Sequence, residues 1–167
     1  MIICYDTPMN NSYRLLELPS IAREVWEHIT ASRTAHHATV VCLHGDLGAG
    51  KTTLVTELAK LLNIEQSIQS PTFVILKNYA LENLTPDPSP GNERVAVTYF
   101  KNFIHIDAYR LHDAVELEKL DWSQYVSNPE HLICIEWSEN VPDCIPAEHI
   151  DVYLTHMDNE TRNIEIT

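Results

Sequence analysis

The residues best placed to do chemistry are gathered in one short loop, Gly45-Asp46-Leu47-Gly48-Ala49-Gly50-Lys51-Thr52. Its G-x-x-x-x-G-K-T spacing suits a phosphate chain. Glycines let the backbone turn tightly and aim successive N–H groups inward at anionic oxygens. Where such a loop feeds a helix, the free donors and dipole of the helix N-terminus add to the attraction. Lys51 supplies a point charge for the β- and γ-phosphates, and the Thr52 hydroxyl suits Mg²⁺. Three of the four glycines in the chain lie here, a concentration that a structural turn does not require. The loop therefore reads as a site for ATP or a close relative, with Mg²⁺, built from Gly48, Ala49, Gly50, Lys51 and Thr52.

Such a metal also needs a carboxylate at the end of a neighbouring strand. Phe103-Ile104-His105-Ile106-Asp107 and Ile133-Cys134-Ile135-Glu136 each end an apolar run in an acid. Ligands of open α/β sheets gather at the carboxyl ends of strands, so both acids qualify. Strand geometry alone does not separate a metal ligand from an acid that caps a helix or opens a turn. Thr72, in Ser70-Pro71-Thr72-Phe73, falls where switch segments sense a γ-phosphate, although its position equally suits an ordinary turn threonine. His105 with Asp107 imitates a metal pair but reads more simply as a histidine packed in a strand, and Trp137, beside Glu136, suits either the site or the core, with the core as the default. The nine histidines show no H-E-x-x-H or comparable spacing, so no zinc site is expected.

Positioning these groups requires a sheet with helices on it. The run Thr39–His44 is continuously apolar at its centre, as in a strand covered on both faces. Beyond the loop, Leu54, Leu58, Leu61 and Leu62 form the stripe of a helix over 51–63. A capped amphipathic helix precedes them, from Leu18 to about Ser32. Strands are expected over 71–79, 103–107 and 132–136, a helix over 113–125, and a closing hairpin over 150–155 and 162–167 turning through Asp158-Asn159. The segment 84–98 holds Pro86, Pro88, Pro90 and Gly91 and reads as a mobile inserted loop. Together these elements predict a three-layer α/β domain of the P-loop type, with a mostly parallel central sheet and a C-terminal β-hairpin.

Composition bounds the rest. At 167 residues the chain forms one domain, 1–167. Its 24 acidic and 11 basic side chains leave a net charge of -13, which repels a nucleic-acid backbone. Cys4, Cys42, Cys134 and Cys144 form no C-x-x-C pair, which fits a reducing cytoplasm better than a disulfide framework. Neither a secretory leader nor a run long enough to cross a bilayer is visible.

Four segments, in order, resemble the TsaE family, formerly YjeE, of small bacterial ATPases: 45–53, Ser70-Pro71-Thr72-Phe73, His105-Ile106-Asp107-Ala108-Tyr109-Arg110-Leu111, and Glu136-Trp137-Ser138-Glu139. The likeness runs from Leu18 to Thr167. It implies that Thr53 joins the nucleotide contacts, that Thr52 and Glu136 hold Mg²⁺, and that Asp107 orients or deprotonates water near the γ-phosphate. Thr72 becomes a switch residue, and Arg162 falls where the family often places an arginine near the nucleotide. It further implies partners TsaB and TsaD, with tRNA reached only through their complex. The stretch Arg23-Glu24-Val25-Trp26-Glu27-His28 departs from the family's first-helix pattern and leaves the base pocket unassigned.

Three functions compete on these residues. The first is a slow, partner-dependent ATPase in threonylcarbamoyladenosine modification of tRNA. A small-molecule kinase is the second, although only Arg94 stands near the inserted loop where a lid would carry arginines. The third is a nucleotide-gated assembly subunit whose hydrolysis is not essential. A GTPase lacks its N-K-x-D signature.

Overall fold

The computed structural model describes residues 9–66, 68–81 and 99–167. The inserted segment expected at 84–98 lies outside them. Seven strands form one sheet in the order β1-β7-β6-β2-β5-β4-β3. They are β1 (Met9–Arg14), β2 (Thr39–His44), β3 (Leu76–Ala80), β4 (Asn102–Asp107), β5 (His131–Glu136), β6 (Ile150–His156) and β7 (Thr161–Ile166). The four strands β6, β2, β5 and β4 run parallel. The outer pairings β1–β7, β7–β6 and β3–β4 are antiparallel.

The sheet is thus mixed, and the expectation of a mostly parallel one needs correction. Only β2, β4 and β5 carry the runs of consecutive buried residues that mark a strand covered on both faces. The outer strands alternate or stay exposed. A hairpin, a returning N-terminal strand and an edge strand supply the antiparallel half.

Side-chain alternation sorts the central strands into two cores. Val41, Leu43, Leu132 and Cys134 face one way, beneath α1 (Leu18–Ala31) and α2 (Lys51–Leu61). Val40, Cys42, Ile104, Ile106, Ile133 and Ile135 face the other way, beneath α3 (Ala114–Glu118) and α4 (Trp122–Val126). The second core stops at β2. Beyond it the face carries part-exposed Asp151, Tyr153 and Glu165.

Three elements differ from their sequence-based outlines. The strand expected over 71–79 begins only at Leu76, because 72–75 turn and Ile75 takes φ 66°. The helix expected over 113–125 breaks into α3 and α4 where Asp121 adopts φ 61°. Strand β1, Met-Asn-Asn-Ser-Tyr-Arg, buries only Met9 and Tyr13, so it leaves almost no hydrophobic trace in the sequence.

Candidate functional site

Strand β2 delivers the chain to Gly45, whose φ of 136° lies in a region that side chains avoid. A Cβ added there would stand 2.2 Å from the Leu154 carbonyl oxygen on β6. The loop closes with Ala49 N–H donating to Asp46 O at 3.0 Å, and helix α2 begins at Lys51. Its N-cap, Gly50, sits at φ 109° and offers no side chain to the helix's free N–H groups. Those donors and the dipole remain available to an anion.

Lys51 lies almost buried, at 5% exposure. Its Nζ donates to Gly45 O and, at 3.1 Å, to Asp46 O, and it sits 3.8 Å from the centre of the Trp137 ring. Burial pulls its pKa below the ordinary lysine value, opposed by the negative charges of Glu136, Glu139, Asp107 and Asp46. The ammonium is therefore held by neutral carbonyls and an aromatic face, contacts that a phosphate group outcompetes.

Parity on the two central strands decides which acids reach this point. Asp107 and Glu136 are register neighbours on β4 and β5, and both point to the α2 side of the sheet. Glu136, 2% exposed, receives the Thr52 hydroxyl at 2.9 Å from both Oε1 and Oε2. His105, on the same face of β4, places Nε2 2.8 Å from Glu136 Oε1. A hydroxyl and a carboxylate in contact are hard oxygen donors of the kind Mg²⁺ prefers.

Asp107, 3% exposed, is tied to the segment before β3. Both Ser70 Oγ and Thr72 Oγ1 donate to its Oδ2. The Tyr109 N–H donates to Oδ1 at 3.0 Å, and the Asp107 N–H donates to Ile75 O at 2.9 Å. Thr72 is thus bonded to the acid, and the 70–75 segment moves only if Asp107 releases it.

A cavity of about 360 Å³ brings Gly48, Gly50, Lys51, Thr52, Thr53, Thr72, Asp107 and Glu136 together. Ala49 instead packs inward at 1% exposure and shapes the loop from behind. Arg162 lies elsewhere, lining an adjoining cavity of about 420 Å³ with Tyr13, Leu15, Leu16 and Pro19. The two cavities share Gly48, Gly50 and Thr53. Arg162 Nη1 donates to the carbonyls of Asp158 (2.7 Å) and Thr161 (3.0 Å), while its buried Nε has no partner among the described residues.

Sequence reasoning missed two members of the site. Trp137, read as core, lines the cavity in a left-handed conformation (φ 61°) with its ring against Lys51 and Tyr109. Such a backbone angle is costly for a bulky residue and marks a position held by its surroundings. Its neighbour Glu136 was the available signal. His105 is packed as expected but also bonds Glu136; its spacing of two from Asp107 placed it on the acid's face.

One further group of donors, Cys42, His149 and Asp151, has ligand atoms within 4.8 Å of one another. Asp151 there already accepts His44 at 2.7 Å and His149 at 3.2 Å. Burial pushes the Cys42 thiol up to about 12, away from the thiolate a metal would need.

Comparison with known proteins finds a family and a fold for the chain. A family model described as threonylcarbamoyl adenosine biosynthesis protein TsaE matches residues 17–164. A protein named tRNA threonylcarbamoyladenosine biosynthesis protein TsaE from Nostoc sp. is 37% identical over 142 residues, 83% of this chain and 76% of its own. The same-named protein of Haemophilus influenzae is 33% identical over 77% of this chain and 70% of its own. That of Bacillus subtilis is 31% identical over 77% and 68%. Among solved structures, Bacillus subtilis YdiB superposes with a TM-score of 0.59 at 21% identity, over 96% of this chain and 86% of that one, a likeness of fold.

Proposed function

The chain belongs to the TsaE family, and on that footing we propose that it is the Mg²⁺-dependent, ATP-binding and slowly ATP-hydrolysing subunit of tRNA threonylcarbamoyladenosine biosynthesis. The observation that carries the reading is the convergence of Lys51, Thr52, Asp107 and Glu136 on one cavity at the N-terminus of α2.

The triphosphate enters the cradle of loop amides, and Lys51 exchanges the carbonyls of Gly45 and Asp46 for the β- and γ-phosphate oxygens. Thr52 and Glu136 would hold Mg²⁺, which would supply neutralising charge to the phosphates. Asp107 orients the attacking water. Its bonds to Ser70 and Thr72 make the 70–75 segment the natural sensor of the γ-phosphate. The adenosine falls into the adjoining cavity, against Tyr13 and Leu15, with Arg162 in its lining.

Among the described residues lining the phosphate cavity, Lys51 is the only cation. Phosphoryl transfer gains about 10³- to 10⁵-fold when an arginine arrives to stabilise the spreading charge. No arginine among the described residues lines that cavity, so hydrolysis awaits a partner. Leu47, 85% exposed, and Tyr109 line the cavity, and Phe73, 86% exposed, follows its lining residue Thr72, an apolar surface suited to such a contact. TsaB and TsaD are the partners we assign, and a chain of net charge -13 reaches tRNA through them. The same surface favours a second reading, in which nucleotide binding gates assembly and hydrolysis is not essential.

Calorimetric titration with Mg·ATP tests the first claim. The wild-type chain binds, and Lys51→Ala loses about 10- to 100-fold in affinity, the worth of a charge-assisted hydrogen bond. Equal heats from the two proteins refute the site. Repeated rounds of tRNA modification sustained by a non-hydrolysable analogue would transfer the conclusion to the gating reading.

A further inference from the structure

We propose that His105 is the positioning residue that aims the Glu136 carboxylate at the magnesium site, so that metal affinity is set from β4 as well as by the two ligands. The inference rests on the nucleotide site proposed above and concerns a side chain that touches neither nucleotide nor metal.

His105 has no exposed surface, and its Nε2 lies 2.8 Å from Glu136 Oε1. A carboxylate at that distance makes Nε2 the nitrogen that carries the proton. The other ring nitrogen, Nδ1, is buried without a hydrogen-bond partner among the described residues. Buried polar groups are ordinarily satisfied, so a histidine retained only for packing would have been tied at both nitrogens or replaced by an apolar ring. All of this ring's hydrogen bonding is directed at one acid.

That acid needs direction. Thr52 lies 2.9 Å from both carboxylate oxygens and has a single proton to share between them. A contact symmetric about the carboxylate leaves its plane free to rock. The bond from His105 falls on Oε1 alone and breaks the symmetry, leaving Oε2 the less engaged oxygen. The imidazole is itself carried on a strand paired on both sides, with Lys77 and Cys134 in register beside it. Two residues along the same face, β4 also presents Asp107. One strand therefore fixes both the acid that meets water and the orientation of the acid that meets metal. Groups that orient a ligand in this way are commonly worth about 10- to 100-fold in metal affinity.

Two substitutions separate positioning from packing. His105→Leu removes the donor at similar volume, and His105→Gln keeps an N–H donor near the place of Nε2. The readouts are Mn²⁺ affinity in the presence of ADP, by electron paramagnetic resonance, and ADP affinity in EDTA, by calorimetry. The leucine variant is expected to weaken Mn²⁺ about 10- to 100-fold while binding ADP in EDTA like the wild type, and the glutamine variant to recover most of the loss. Unchanged Mn²⁺ affinity in the leucine variant, or a parallel fall in metal-free ADP binding, overturns the proposal. Wild-type protein that binds ADP neither in EDTA nor with Mg²⁺ overturns the nucleotide reading itself.

Nuclear magnetic resonance of the wild-type imidazole gives an answer that needs no variant to fold. The ring should carry its proton on Nε2, and that resonance should move when Mg²⁺ is added to the ADP-bound protein. A proton on Nδ1, or a signal indifferent to Mg²⁺, overturns the assignment.

Discussion

Asp107 and Glu136 are neighbouring carboxylates with different companions, and the roles we assign them follow from those companions. Glu136 faces the Thr52 hydroxyl and an imidazole, a set suited to a metal. Asp107 faces the Ser70 and Thr72 hydroxyls, on the segment we propose senses phosphate, and the Tyr109 N–H. Asp107→Asn keeps the shape and most of these bonds but removes the base. Hydrolysis by the partner-completed assembly should fall by about 10²- to 10⁴-fold, with nucleotide affinity nearly unchanged. Single-turnover kinetics beside calorimetry would show it, and a matched loss of binding would make Asp107 a ligand instead. The sequence made Lys51, Thr52 and both acids visible, because their types and strand-end positions carry the chemistry. It could not rank the acids, since ranking depends on which side chains surround each one. Trp137 escaped for a similar reason. A large aromatic beside an acid is ordinary core material until its backbone is seen turned to φ 61°.

At the scale of elements, the phosphate loop is held by contact with β6 as much as by its own glycines. Gly45→Ala would drive a Cβ into the Leu154 carbonyl at an unfavourable φ. The combined clash and strain should cost about 2–5 kcal/mol, lowering the melting temperature by roughly 5–15 °C. Gly48 has open space where its Cβ would stand, so Gly48→Ala meets only its φ of 83° and should cost less. A thermal melt of the two variants compares them directly, and an unchanged melt for Gly45→Ala would remove β6 from the account. Elements with strong periodicity were legible: β2, α2, β5 and the β6–β7 hairpin stand within a few residues of their expected places. The failures share a physical cause. Strand β1 owes its conformation to pairing with β7, and the breaks at Ile75 and Asp121 arise from left-handed residues that composition does not announce.

For the whole molecule, pH enters through buried thiols and phenols. Burial pushes Cys42 up to about 12, and drives Cys134, Tyr13 and Tyr79 upward as well. These groups keep their protons in the folded state, whereas an unfolded thiol releases its proton near the ordinary value of 9.0. Above that point the folded state binds more protons, so stability falls as pH rises, by about 1.4 kcal/mol per pH unit for each thiol. For Cys42 the window closes near 12. Urea midpoints collected from neutral to alkaline pH should slope downward, and Cys42→Ala should flatten the slope by about one proton. A slope indifferent to that substitution would place the titrating groups elsewhere. The three described cysteines are free thiols, and no helix among the described residues is long and apolar enough to cross a membrane.

Tyr13 and Arg162 are register partners on the outermost pairing of the sheet, and both line the cavity beside the phosphate cradle. A ribosome releases β1 long before β7, so the earlier strand waits for its hydrogen-bonding neighbour until β7 has emerged. The phosphate loop, closed by β2, α2 and β6, is complete before β7 emerges. Chains halted before Thr161 would therefore carry that loop without the Arg162 side of the cavity beside it.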